Sequence, residues 1–131
     1  MEPGFFVRNY TETDFPEMIM LWEALGLGGA HRGDDSQVIA RTLQMGGQLL
    51  LLVEQVSGKI IGTSWLTVDG RRTYIHHFGI HSQYQGRGLA KVLLDASLKL
   101  AKTFGMQIKL EVHKDNAKAI SLYAKSGFVS L

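Results

Sequence analysis

Three stretches of this chain combine residue types and spacings suited to chemistry. The first is Gln83-Tyr84-Gln85-Gly86-Arg87-Gly88-Leu89-Ala90, where two glycines one residue apart lead straight into an apolar helical pattern. A helix start exposes backbone N–H groups without partners, and the helix dipole adds partial positive charge, so it suits an anion. No Ser, Thr, Asp or Asn stands between residues 83 and 90 to cap those donors. Gly86 and Gly88 leave room for a phosphate against the backbone, and Arg87 adds a cation. A P-loop needs Lys then Ser or Thr where this chain has Leu89-Ala90, and a dinucleotide fingerprint needs a small residue where it has Lys91. From the glycines alone, a pyrophosphate cradle and a plain tight helix entry are equally compatible. The second stretch is His76-His77. Successive strand residues point to opposite faces, so the two imidazoles are not expected to share a metal ion, and His76 is expected beside Tyr74 and Phe78. The third is Glu111, expected on the polar side of a strand with Lys109 and His113, opposite Ile108, Leu110 and Val112.

These residues need a scaffold, and the patterning supplies one. Phe5 to Tyr10 reads as a short strand. Asp14 with Glu17 resembles a capping box, Pro16 suits a first turn, and Met18, Leu21, Trp22 and Leu25 recur at helical spacing until the glycines at 26, 28 and 29. A glycine-rich polar loop, expected to be mobile, leads to a second helix from Ser36 through Val38, Ile39, Thr42 and Leu43 to Gly46-Gly47. Three strand-like runs follow (48–56, 59–68 and 71–81), joined by turns at Ser57-Gly58 and Asp69-Gly70, which predicts an antiparallel meander. Leu89, Val92, Leu93, Ala96 and Leu100 then share one helix face, with Gly105 as C-cap. A strand over 106–113, a short helix over 116–127 and a last strand stub, Phe128-Val129-Ser130-Leu131, complete the chain. The fold class expected is mixed α+β: one domain over 1–131, a meander extended by a parallel strand–helix–strand crossover.

Composition narrows the function further. The chain has 131 residues, 45% hydrophobic and 20% charged, with a net charge of +2. The absence of a clustered basic run argues against nucleic acid. Without cysteine there is no disulfide, thiolate zinc site or cysteine nucleophile. The longest apolar run, 49–53, is too short for a bilayer, and residues 1–10 do not read as a signal peptide, so no membrane partner and a cytoplasmic location are expected.

Taken together, the two signatures resemble the GNAT superfamily of N-acyltransferases. Gln83-x-x-Gly86-x-Gly88-x-Ala90 is similar to its acyl-CoA-binding motif, and Asn116, Ala119, Leu122, Tyr123, Lys125, Gly127 and Phe128 match its second signature, in a form similar to the protein N-terminal acetyltransferases. The order of elements agrees along essentially the whole chain. Two departures are Ser82, where the family has proline after the histidine, and the end of the chain at Leu131. The family usually continues with one or two strands that wall the acceptor site, so the expectation is a truncated last strand and either an open site or one completed by a homodimer.

The resemblance implies acetyl-CoA as acyl donor, an amine acceptor and no metal. Main-chain amides of Gln85, Gly86, Arg87, Gly88, Leu89 and Ala90 would hold the pyrophosphate. The edge at Phe78, Gly79 and Ile80 would pair with the pantetheine arm, and Asn116 would bond it from the other side. Lys118 and Lys125 lie where they would reach phosphates or form a solvated face. Tyr123 would be the proton donor to the departing thiolate. Glu111 is the preferred base because its spacing to Asn116 and Tyr123 completes the motif, and His76 is the other candidate. The acceptor, whether a protein N-terminus, lysine, polyamine or aminoglycoside, is not readable, although Asp34, Asp35 and Glu54 would attract a cation. The competing function is a non-catalytic acyl-CoA-binding regulator on the same fold. A simple phosphate-binding module leaves the second signature unexplained.

Overall fold

The computed structural model describes residues 4–28 and 33–130. Five strands, β1 Phe5–Asn9, β2 Gln48–Glu54, β3 Ile60–Val68, β4 Arg72–Ile80 and β5 Gln107–Leu110, form one sheet in that order. The first four are antiparallel and β5 is parallel to β4. Helices α1 Phe15–Leu25 and α2 Ser36–Gln44 cover one face, and α3 Leu89–Phe104 and α4 Ala117–Lys125 cover the other.

The apolar run of β2 follows from this two-sided cover. Leu49, Leu51 and Val53 pack with Met18, Leu21, Trp22 and Ile39 on the α1/α2 face. Leu50 and Leu52 pack with Phe5, Leu89 and Leu93 on the other. A strand buried on both sides has no polar face to show. On α3 the buried stripe also takes in Leu94 and Ala101, wider than the predicted face. Its buried Ser97 is satisfied within the core: the hydroxyl lies 2.7 Å from the Leu93 carbonyl oxygen and 2.7 Å from the Ser64 hydroxyl.

Several expectations change. The capping box is Thr11 with Asp14, ahead of a short 3-10 segment, Glu12–Asp14. Asp14 also takes a bidentate bond from Arg8 at 2.8 Å, and that bond, chiefly, holds its carboxyl down at about 2. Glu17 instead reaches 2.7 Å across to the Ile60 N–H, because that strand start has a backbone donor to satisfy. Residues 29–32 of the predicted mobile loop lie outside the described residues. The strand expected over 106–113 ends at Leu110, its last partner on β4 being Ile75. Residues 128–130 form no strand, and Leu131 lies outside the described residues.

Candidate active site

The glycine turn has the shape the sequence suggests. Gly86 and Gly88 take φ of 80° and 77°, a region cheap only for glycine, and a Cβ built on either would meet nothing within 4 Å among the described residues. Gly88 is the N-cap of α3, and among the described residues no side chain caps the first-turn N–H groups of the helix. Gln85 ties the turn to the end of β4 by donating from its side chain to the Ile80 carbonyl at 2.8 Å. The guanidinium of Arg87 lies over the rings of Phe5 and Tyr84, 5.1 and 5.6 Å from their centroids, which holds a cation beside the turn. These features fit a pyrophosphate.

A slot runs from the middle of the sheet toward this turn. β4 and β5 pair only from Arg72 with Gln107 to Ile75 with Leu110. Beyond that point β4 continues to Ile80, and among the described residues no strand pairs with its 76–80 segment on the β5 side. Phe78, Gly79 and Ile80 therefore offer an edge to an extended ligand. Asn116 stands beyond β5 as the N-cap of α4, its Oδ1 accepting from the Ala119 N–H at 3.2 Å. With Oδ1 so engaged, the side-chain NH2 group is the part of Asn116 that can donate to a ligand. Lys118 and Lys125 are exposed on α4, and Lys125 lines a groove against α3 with Lys91, Lys99 and Lys102.

Where the slot begins, β4 bulges. Trp65 pairs with His76 but Thr63 pairs with Gly79, so His77 and Phe78 both stand opposite Ser64. His77 takes a φ of 46°, the one positive value at a non-glycine among the described residues. The extra residue resets strand parity and overturns the predicted faces. His76 and His77 both approach Trp65 on the α1/α2 side, at 5.9 and 5.5 Å between ring centroids. Tyr74 stays with His76, whereas Phe78 turns to the other face and meets Tyr123 at 6.0 Å.

The two imidazoles, with Asp34, Thr42, Trp65 and Thr67, line a cavity of about 220 Å³. His77 Nε2 lies 2.8 Å from Asp34 Oδ2, and His76 Nε2 lies 2.8 Å from the Thr67 hydroxyl. His76 is exposed as a residue, yet its ring stands between Trp65 and Tyr74. That desolvation, followed by repulsion from His77, holds its pKa below the ordinary histidine value, while Asp34 and Glu111 pull the other way. The imidazole therefore stays neutral to lower pH than usual.

Glu111 is one residue past the end of β5, close enough to influence His76 but exposed and outside the cavity lining. The period-two argument for its face fails because β5 stops at Leu110, leaving His113 bonded locally through Nδ1 to the Asp115 N–H. Tyr123 is buried across the sheet, wedged between Phe78 and Phe128, and burial pushes its phenol up to about 12. The acidic groups expected to attract a cation have partners in the protein. Asp34 meets His77, Asp35 caps α2 at the Val38 N–H, and Glu54 accepts from Ser57 and Tyr84. Among the described residues, no group of three His, Cys, Asp or Glu side chains could hold a metal ion, and no helix is long and apolar enough to cross a membrane.

Residues 11–128 match the model of the Acetyltransferase (GNAT) family. The chain belongs to that family. Solved GNAT structures superpose along nearly all of it. An acetyltransferase of Staphylococcus aureus aligns with a TM-score of 0.85 at 20% identity, covering 97% of this chain and 84% of that one. The ribosomal-protein-S18-alanine N-acetyltransferase of Escherichia coli gives 0.80 at 20%, over 97% and 79%. Glucosamine-6-phosphate N-acetyltransferase of Arabidopsis thaliana gives 0.78 at 20%, over 97% and 92%. At such identities the likeness is one of fold. Sequence reasoning missed the His77–Asp34 contact and the shared cavity in this GNAT chain. The signal was weak: Ser64 and the His77-Phe78 pair show no local sign of a bulge.

Proposed function

We propose that the protein transfers an acetyl group from acetyl-CoA to a primary amine. The observation that carries this reading is the unpaired β4 edge. It opens at His76, runs to the glycine turn, and has an imidazole on one side of the sheet and a phenol on the other.

Backbone N–H groups at the start of α3 would hold the pyrophosphate, with Arg87 adding charge beside it. The edge at Phe78–Ile80 would bind the pantetheine arm as an added strand, and the NH2 group of Asn116 would close it from the β5 side. Bound acetyl-CoA supplies the thioester whose carbonyl carbon the amine attacks as the carbon–sulfur bond breaks. With Nε2–H donated to Thr67, the Nδ1 lone pair of His76 takes the proton the amine loses. His76 is preferred over Glu111 because it lines the cavity beside the slot and keeps its neutral form. Glu111 favours the imidazolium that results.

Tyr123 is better suited to hydrogen bonding than to full proton transfer. A phenol at about 12 would have to give its proton to a thiolate whose acid titrates near ~8.5, an uphill step. Its O–H instead stabilises the developing thiolate. The cavity against Trp65 would receive the acceptor, and the relatives above act on a protein alanine and on a sugar phosphate amine.

The test is turnover. Free thiol and acetylated product should appear with at least one member of a panel of peptides with free N-termini, polyamines, aminoglycosides and amino sugars. Tight CoA binding with no turnover anywhere in the panel would favour an acyl-CoA-binding regulator.

A further inference from the structure

The backbone at His77 has to be held in place, and the neighbouring side chains identify what holds it. A φ of 46° is rare for a residue with a side chain and persists only where the surroundings enforce it. The bulge also displaces the His77 carbonyl from the regular β3–β4 ladder. That carbonyl accepts a 2.6 Å hydrogen bond from the hydroxyl of Thr63 on β3. Thr63 is fully buried, and its oxygen accepts in turn from the indole N–H of Trp22 at 2.9 Å. Trp22, equally buried, stacks on Trp65 at 5.7 Å and meets the His77 ring edge-on at 4.6 Å. The single hydroxyl proton of Thr63 and one of its lone pairs are thus both committed, which fixes its orientation. A buried polar thread runs from α1 through Thr63 to the point where β4 leaves its register.

We propose that Thr63, held by Trp22, is a positioning residue for acyl transfer. Its hydroxyl fixes the bulge that sets the His76 and His77 imidazoles together on the acceptor side and starts the unpaired edge beyond them. Thr63 does not line the cavity and acts only through the β4 backbone. The kinetic consequence rests on the acetyltransferase reading; the structural one does not.

Thr63→Val keeps the shape of the side chain and removes the hydroxyl, whereas Thr63→Ser keeps the hydroxyl. In Thr63→Val kcat should fall about 10- to 100-fold through misplacement of the reacting groups, with CoA affinity reduced less than kcat, since the edge beyond the bulge is disturbed but the glycine turn is untouched. Thr63→Ser should restore most of kcat. Independently of turnover, the NMR signals of the His76 and His77 rings in the ligand-free protein should move in Thr63→Val and stay in place in Thr63→Ser. Unmoved ring signals in folded Thr63→Val would overturn the proposal whatever the activity. Equal damage in both variants would also overturn it, because side-chain size rather than the hydroxyl would then matter. Should Thr63→Val fail to fold, Trp22→Phe removes the indole donor together with part of the ring packed on Trp65 and His77, and unmoved His76 and His77 ring signals there would overturn it too. A wild-type protein inactive on every amine would remove the acetyltransferase reading and leave the ring signals to decide the structural claim.

Discussion

The glycine turn before α3 and the bulge in β4 solve the same backbone problem by opposite means. At Gly86 and Gly88 the chain reaches positive φ with no side chain to strain, and among the described residues nothing stands within 4 Å of where a Cβ would be. At His77 it reaches positive φ with a side chain present, and the residue is held by polar contacts of 2.6 Å to Thr63 and 2.8 Å to Asp34, with the Trp22 ring edge-on at 4.6 Å between centroids. One region is open and cheap, the other crowded and braced. In the proposed reading the open one receives an anion and the braced one aims proton-handling groups. The two regions should therefore separate in experiment by degree, the turn acting mainly on cofactor affinity and the bulge mainly on turnover.

The largest separation is expected at His76. Loss of a general base costs about 10²- to 10⁴-fold in rate, so His76→Ala should lower kcat in that range and leave CoA affinity near wild type. Its depressed pKa adds a pH signature. The neutral, competent form survives below the ordinary histidine value, so the acidic limb of the kcat/KM profile should fall there and vanish in His76→Ala. Unchanged turnover with an unchanged acidic limb would detach the bulge from the chemistry.

The converse experiment is at the turn. A branched side chain at Gly88 blocks the approach to the helix start and adds about 1–2 kcal/mol of left-handed strain. Wild type should gain ~2.7 kcal/mol of stability at 100-fold excess of CoA over its Kd, read as a rise in Tm. Gly88→Val should lose most of that rise while its ligand-free form stays folded. A full CoA shift in folded Gly88→Val would remove the pyrophosphate from the turn.

Two smaller effects sharpen the picture. Tyr123→Phe removes one hydrogen bond to a developing charge, worth about 1.5–3 kcal/mol, so kcat should fall by roughly 10- to 100-fold. A loss beyond about 10⁴-fold would instead make Tyr123 an obligatory proton donor. Glu111→Gln should be the mildest, lowering kcat only a few-fold, as expected of an exposed charge acting through solvent. If Glu111→Gln were crippled while His76→Ala was nearly silent, the exposed carboxylate rather than the imidazole would be the base.

How far each region was legible in the sequence follows from the same contrast. Gly86 and Gly88 advertise their conformation through residue type, and the apolar spacing of Leu89 and Leu93 predicts the helix they open. The meander was equally visible, because Ser57-Gly58 and Asp69-Gly70 separate runs of the right period. The bulge was not visible, since it depends on which residues of β3 face β4, a long-range register that no local pattern encodes. Strand parity therefore put His76 and His77 on opposite faces and Phe78 beside His76, and the inserted residue reversed both. The early end of β5 is a similar case. Glu111 and Val112 have strand-like neighbours, but the pairing of β5 with β4 ends at Leu110 with Ile75, and the polar side of Glu111 was inferred from a strand that does not extend that far. Asp34 was visible only as an acidic loop residue, because its contact with His77 joins positions 43 apart in the chain.

The central claim is that the β4 edge and the glycine turn together receive acetyl-CoA. Amide hydrogen exchange with and without CoA tests it directly, residue by residue. Binding should slow exchange at amides within 76–80 of β4 and 85–90 at the start of α3, leaving β1 and β2 unchanged. Protection confined to other segments, with both of these exchanging as in the free protein, would contradict the account.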